Sequence, residues 1–172
     1  METGTKAIIA AKEWGNFQVK QQKRPTAQRP QPILPPECAI IRSDAAWQTE
    51  TMMAGLGWTI NSLNRTSSFS VPEQAVRSPL TAEGLALREA VMMCKKLKIP
   101  KICCESDLMQ LIQAVNSIST HSELYSIVAD IHSCLSSFEF CIFRWIPRLG
   151  NLDADNLAKS ALADAVVVMA LT

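Results

Sequence analysis

The chain lacks an apolar run long enough to cross a bilayer. The stretch Ala165–Leu171 is seven residues, against roughly 20 for a spanning helix. The N-terminus lacks a basic start followed by a long hydrophobic region, since its only apolar stretch is Ala7–Ala11. A secretory signal and a membrane partner are therefore not expected. Strong charge of one sign is also absent. The formal net charge is +1, so no global field draws the chain onto nucleic acid, and any such binding rests on a local patch. The six cysteines (38, 94, 103, 104, 134 and 141) form no Cys-x-x-Cys pair. They read as small, reduced core residues of an intracellular protein, with nucleus and cytoplasm equally compatible. No internal repeat is visible.

What is present is an ordinary globular ratio. Of 172 residues, 48% are hydrophobic and 19% charged, enough for one domain with a buried core. The distribution is uneven. Residues 1–36 hold six basic residues against Glu2 and Glu13, whereas residues 37–172 hold 11 basic and 14 acidic. Five of the nine prolines fall between Pro25 and Pro36. That stretch has too few large apolar residues to offset its ordering entropy, so residues 1–36 read as an extended, mostly disordered segment and linker. The domain is expected over 37–172.

Within it the period changes with position. Cys38–Ala46 and Ala54–Asn61 read as strands, and Thr66–Val76 as a third whose Pro72 suits a sheet edge. Ser78-Pro79 then opens a helix, with serine as N-cap and proline at the first helical position. Ala86, Leu87, Ala90, Cys94 and Leu97 form its apolar stripe. Pro100 ends it. Lys101–Ser106 reads as a strand, Leu108–Val115 as a helix, and a third helix is capped by Ser122. Phe138–Ile146 is apolar on nearly both faces, as a buried parallel strand would be. A last helix runs over about Leu152–Met169. Three antiparallel strands followed by strand–helix crossovers imply an α/β mixed sheet with helices on its faces.

Four acids stand where packing alone would place apolar groups. Glu83 heads the first helix's stripe, with 86, 87, 90, 94 and 97 following at helical spacing. Asp155 heads the last helix's stripe in the same way, before Ala158, Leu162, Val166 and Met169. Asp44 lies in or just past the first strand, where aspartate is disfavoured. Asp107 follows the fourth strand. Each has a local alternative: Asp107 as a helix cap, Asp155 and Glu83 as first-turn partners of the helix dipole. In a sheet of this order, however, all four converge. Two carboxylates roughly 4 Å apart repel by about 4 kcal/mol at an effective dielectric of 20. A fold keeps such a cluster by protonating it or by binding cations, and all-oxygen ligation suits Mg²⁺ or Mn²⁺. Paired-metal carboxylate sites hydrolyse phosphodiesters.

These residues carry a family resemblance. Ser43-Asp44-Ala45-Ala46-Trp47, Ala82-Glu83-Gly84-Leu85-Ala86-Leu87, Glu105-Ser106-Asp107 and Asn151-Leu152-Asp153-Ala154-Asp155-Asn156-Leu157-Ala158 resemble, in order, the signature segments of ribonuclease H-like domains. The match is to the plant type related to non-LTR retrotransposon polyproteins, and it covers about residues 38–165. The resemblance implies a five-stranded mixed sheet in the order 3-2-1-4-5 with helices on both faces. It implies a D-E-D-D site, Asp44, Glu83, Asp107 and Asp155, that holds two Mg²⁺ or Mn²⁺ ions and cleaves the RNA strand of an RNA–DNA hybrid. Trp145-Ile146-Pro147-Arg148 matches the segment before the last acid. The N-terminal segment, with Ala11-Lys12-Glu13-Trp14, is similar to the connector preceding this domain in the polyprotein.

The sequence departs from the family in two places. Well-studied cellular members carry a histidine in the loop before the last aspartate. Here the loop reads Pro147-Arg148-Leu149-Gly150-Asn151, and the two histidines, His121 and His132, lie elsewhere. Ser78-Pro79-Leu80-Thr81 replaces the polar phosphate-pocket residues. The alternative function is accordingly a domesticated nucleic-acid-binding module with weak or no turnover. Candidate nucleic-acid contacts are Arg148, by bidentate hydrogen bonds to phosphate, and the cluster Lys95, Lys96, Lys98 and Lys101, for which a solvated helix end is the simpler reading. Trp47 and Trp58 read as buried rather than base-stacking.

Overall fold

The structure is a computed structural model and describes residues 30–117 and 121–172. The expected linker at 1–36 therefore lies almost wholly outside the described residues. Five strands form one sheet: β1 (Ala39–Gln48), β2 (Met53–Ser62), β3 (Arg65–Glu73), β4 (Lys101–Ser106) and β5 (Phe140–Trp145). Their order is β3-β2-β1-β4-β5. The first three pair antiparallel, while β1, β4 and β5 run parallel. Among the described residues, four helices accompany the sheet: α1 (Pro79–Lys96), α2 (Met109–Asn116), α3 (Tyr125–Cys134) and α4 (Leu152–Ala170).

The hairpin between β2 and β3 is closed by Leu63 and Asn64, both at positive φ (50° and 61°). That is the geometry a two-residue loop needs to match strand twist. Pro72 sits in β3, an outer strand, where a missing N–H costs the ladder little. Ser78 caps α1 as its sequence announces: its Oγ accepts from the Thr81 N–H at 3.0 Å, with Pro79 at the helix start.

Helices cover both faces of the sheet. On one side Leu56, Trp58 and Ile60 of β2 and Ile41 of β1 pack with Ala86, Leu87, Ala90 and Val91 of α1, and with Leu124, Ile127 and Ile131 around α3. Trp58 stacks on Phe69 across the β2–β3 ladder at 5.8 Å. On the other side α4 lies directly on β2. A Cβ at Gly57 would stand 2.5 Å from the Ala158 nitrogen, and one at Gly55 2.0 Å from the Ala158 carbonyl oxygen. Two glycines facing Ala154 and Ala158 thus let helix backbone meet strand backbone, and the fit fixes where α4 begins.

Two local readings of the sequence are corrected. Ser122 does not cap α3. It starts a short 3-10 turn, Ser122–Leu124, and α3 follows from Tyr125. β5 is parallel as expected but forms the other edge, and only Phe143 in it is fully buried. An apolar run alone does not tell an edge strand from a central one. Among the described residues no helix is long and apolar enough to cross a membrane. All six cysteines are free; Cys94, Cys103, Cys104 and Cys134 are buried, and Cys38 and Cys141 half-buried. Trp58 is buried, and Trp47 is half-buried with its Nε1–H donating to the Val76 carbonyl at 2.8 Å.

Candidate active site

The β1–β4 pairing ends at Arg42 beside Glu105. β1 continues past that point, so Asp44 stands where β4 stops and Asp107 follows. Asp44 is buried, and its Oδ1 accepts from the Ala45 N–H at 2.8 Å. Glu83 enters from the second turn of α1, past the first turn that the dipole favours. Its Oε2 is buried with no hydrogen-bond partner. Burial pushes the Glu83 carboxyl up to about 10, reinforced by the charge of Asp44, its hydrogen bond to Asp44, and Asp107. Glu83 is therefore protonated at neutral pH without a cation, and donates to the Asp44 carboxylate. Asp44 is itself raised by burial and by the charges of Asp107 and Asp155, against the lowering hydrogen bond from Glu83. All four acids found in the sequence thus interact electrostatically at one end of the sheet.

The helix-cap alternative for Asp107 is not what the structure shows. Leu108 occupies the N-cap position of α2 without a side-chain cap, and its N–H bonds Ser106 Oγ at 3.2 Å. The Asp107 carboxyl instead accepts from Asn151 Nδ2 at 3.2 Å. Asp155 does lie in the first turn of α4, where the dipole favours a negative charge. It is buried, and its Oδ2 accepts from Lys159 Nζ at 2.6 Å.

Three residues here were not assigned a role from the sequence. Asn151, fully buried at the entrance to α4, donates from one nitrogen to the Ser43 carbonyl at 2.9 Å and to Asp107. It thereby ties β1 to the residue after β4. Trp145 donates from Nε1 to the Asp107 carbonyl at 2.9 Å. Lys159 was legible as the i+4 neighbour of Asp155. The tie made by Asn151 spans 108 residues to Ser43, and no local spacing announces it.

The basic candidates divide. Arg148 lies exposed in the 3-10 turn Arg148–Asn151, just before Asn151 and α4. Lys95 and Lys96 end α1, twelve and thirteen residues beyond Glu83, or about 18 Å along a helix. Lys101 starts β4, whose far end leads to Asp107. Lys95, Lys96, Lys98 and Lys101 therefore occupy the opposite end of the domain and are not brought to the acids.

Among the described residues, no three His, Cys, Asp or Glu side chains stand as a formed metal site. The side chains are arranged instead as a protonated pair and a lysine-paired aspartate. The donor set nonetheless fits a hard divalent cation, because every donor is oxygen. Three of the buried unpartnered polar atoms, Ser43 Oγ, Glu83 Oε2 and Asn151 Oδ1, belong to residues of this site. Such atoms are costly unless something outside the chain satisfies them.

The family model described as Reverse transcriptase-like matches residues 42–161, a span containing all four acids. The chain belongs to that family. No curated protein matches the sequence. Among solved structures, it is similar to the N-terminal ribonuclease H domain of Rv2228c from Mycobacterium tuberculosis: TM-score 0.68 and 18% identity, over 76% of this chain and 97% of that one. It is similar to ribonuclease H1 of the archaeon Halobacterium salinarum: TM-score 0.67 and 20% identity, over 73% and 98%. It is also similar to LC11 ribonuclease H1, isolated from compost and solved with an RNA/DNA hybrid: TM-score 0.63 and 22% identity, over 74% and 99%. The fold of this family member is thus the ribonuclease H-like fold.

Proposed function

We propose that the chain is a metal-dependent endonuclease that hydrolyses the RNA strand of RNA–DNA hybrids. The observation that carries this reading is the convergence of Asp44, Glu83, Asp107 and Asp155 at one end of the sheet, where the buried Oε2 of Glu83 has no hydrogen-bond partner in the chain. Asp44 and Asp107 would hold Mg²⁺ or Mn²⁺ most directly, with Glu83 on the water side and Asp155 completing a second position. When bound, the ions supply charge neutralisation at the phosphate and a more acidic water. The chain supplies the rest. Asn151 and Trp145 hold Asp107 in place, and Arg148, exposed in the turn before α4, would contact a phosphate of the substrate backbone. The hybrid would be read through backbone shape and 2′-hydroxyls rather than base identity. The resemblance of the four segments to the plant, retroelement-related type supports that ancestry.

One observation favours a second reading, a nucleic-acid-binding module without turnover. The loop that carries a histidine in well-studied cellular members here presents Leu149, which is 83% exposed. The test uses the full chain, a labelled RNA–DNA hybrid, and Mg²⁺ or Mn²⁺ present or withheld. Metal-dependent cutting of the RNA strand that is lost in Asp107→Asn supports the nuclease. Retained hybrid binding without cutting supports the module. A melting temperature unmoved by millimolar Mg²⁺ and Mn²⁺ counts against a metal site, since any ligand of the folded state must raise it.

A further inference from the structure

We infer that Lys159 is an internal cation that competes with divalent metal for Asp155, so that the site fills in two unequal steps. The inference rests on the metal-dependent reading above. The four acids do not share one environment. Asp44 is buried and lies against half-buried Glu83, whose Oε2 is buried, and the side chain of Asp155, only 10% exposed, has its Oδ2 taken by an ammonium group at 2.6 Å. Asp155 nonetheless belongs to the same site: Asn151, at the entrance to the same helix, donates to the carbonyl of Ser43 beside Asp44 and to the Asp107 carboxyl. The helix itself keeps Asp155 and Lys159 on one face, and Ala154 and Ala158, resting on Gly57 and Gly55 with no room for a Cβ between them, fix how that face is presented to the site. Aspartate four residues before lysine is also the favourable orientation along a helix.

A metal ion and an ammonium cannot both take the same carboxylate oxygen. Uptake at Asp155 therefore requires Lys159 to leave. The Lys159 side chain is 59% exposed, so it can swing into water, and an exposed ion pair opposes that by only a small factor. The position formed by Asp44, Glu83 and Asp107 fills first, and the one that needs Asp155 fills at higher metal concentration.

The test is a Mn²⁺ titration of the full chain, read by calorimetry and by counting free Mn²⁺ with electron paramagnetic resonance. Wild type, Lys159→Met and Lys159→Arg are compared after their folding is checked by metal-free melting. Lys159→Gln substitutes if the methionine variant does not fold. The expected result is two steps in wild type. In Lys159→Met the weaker step tightens by about three- to fivefold while the stronger is unchanged; Lys159→Arg stays near wild type. Superimposable isotherms for wild type and Lys159→Met overturn the role of Lys159 while leaving the metal site standing. Absence of Mn²⁺ binding in every variant overturns both.

Discussion

Two sets of buried carboxylates sit on neighbouring parts of one sheet, and they are treated in opposite ways. Glu105 on β4 lies between Arg42 on β1 and Arg144 on β5, in a single row across three strands. Arg42 Nε donates to Oε2 at 2.8 Å and Arg144 Nε to Oε1 at 2.8 Å. Its charge is answered inside the chain. Two residues further on, Asp107 interacts with Asp44 and Glu83, which make no ion pair with any described residue, and burial with mutual repulsion raises the Asp44 and Glu83 carboxyls instead. Burial is therefore not what separates Glu105 from that cluster; Glu105 is itself almost wholly buried. The difference lies in whether the fold supplies the counter-charge.

That contrast can be broken most severely at Glu105. Glu105→Ala leaves two arginines without their buried partner, a change that costs about 3–5 kcal/mol in buried pairs. The lower end is expected, because the Arg42 side chain is 43% exposed and can reach water. Chemical denaturation should show the loss, with the midpoint falling and the slope unchanged. Replacing all three residues with apolar ones of similar volume should restore most of the stability, as compensated triads are often no better than a packed core. A triple variant as unstable as Glu105→Ala would mean the triad contributes more than charge balance.

Asp107→Asn tests the other side. It removes charge from the uncompensated cluster while leaving the shape. On the proposed hydrolysis, kcat should fall by about 10²–10³-fold, the scale on which removing one preorganised electrostatic group acts. The same change should leave the metal-free melting temperature within a few degrees of wild type.

Glu83→Gln sharpens the comparison through pH. The folded Glu83 carboxyl titrates near 10, far above its ordinary value of 4.5. Between those values the folded state holds a proton that the unfolded chain has released. Metal-free stability therefore declines as pH rises across that window. Glutamine cannot titrate, so the variant should be more stable than wild type at neutral pH by on the order of 2 kcal/mol. The gap should close below about pH 4.5. Melting curves at several pH values check it. A variant less stable than wild type at every pH would show that Glu83 is compensated after all.

How much of this was legible beforehand follows from the range of the interactions. The Ser78 cap, the Pro72 edge strand and the apolar stripe of α1 are written within a few residues, and the structure carries them as read except for Leu97, which caps the end of α1 and is exposed. The four acids were legible because each breaks a local pattern. Glu105 breaks one too, being an acid in an apolar strand, yet its role stayed hidden. Arg42 and Arg144 lie 63 and 39 residues from it, and only the β1–β4–β5 register makes them neighbours. Asn151 was hidden for the same reason. β5 was misjudged as fully buried because hydrophobicity reports on composition, whereas edge position depends on what the rest of the chain places alongside.

The mildest test concerns a carboxylate that is neither buried nor clustered. Glu123, in the 3-10 turn before α3, accepts hydrogen bonds from the hydroxyls of Ser78 and Thr81 at the start of α1. These bonds hold its carboxyl below the ordinary value, with Ser78 the larger influence. A depressed folded pKa means that the stabilisation is present above the unfolded pKa and is lost as pH falls through the folded one. Glu123 is exposed, so solvent screening limits the effect to a few tenths of a kcal/mol. Glu123→Gln should therefore lower the melting temperature slightly at pH 7, and by less as the pH is taken down below the ordinary carboxyl range. Glu83→Gln should do the reverse, raising it at pH 7. If both variants shifted in the same direction at neutral pH, compensation within the chain would not be what sets these carboxylates apart.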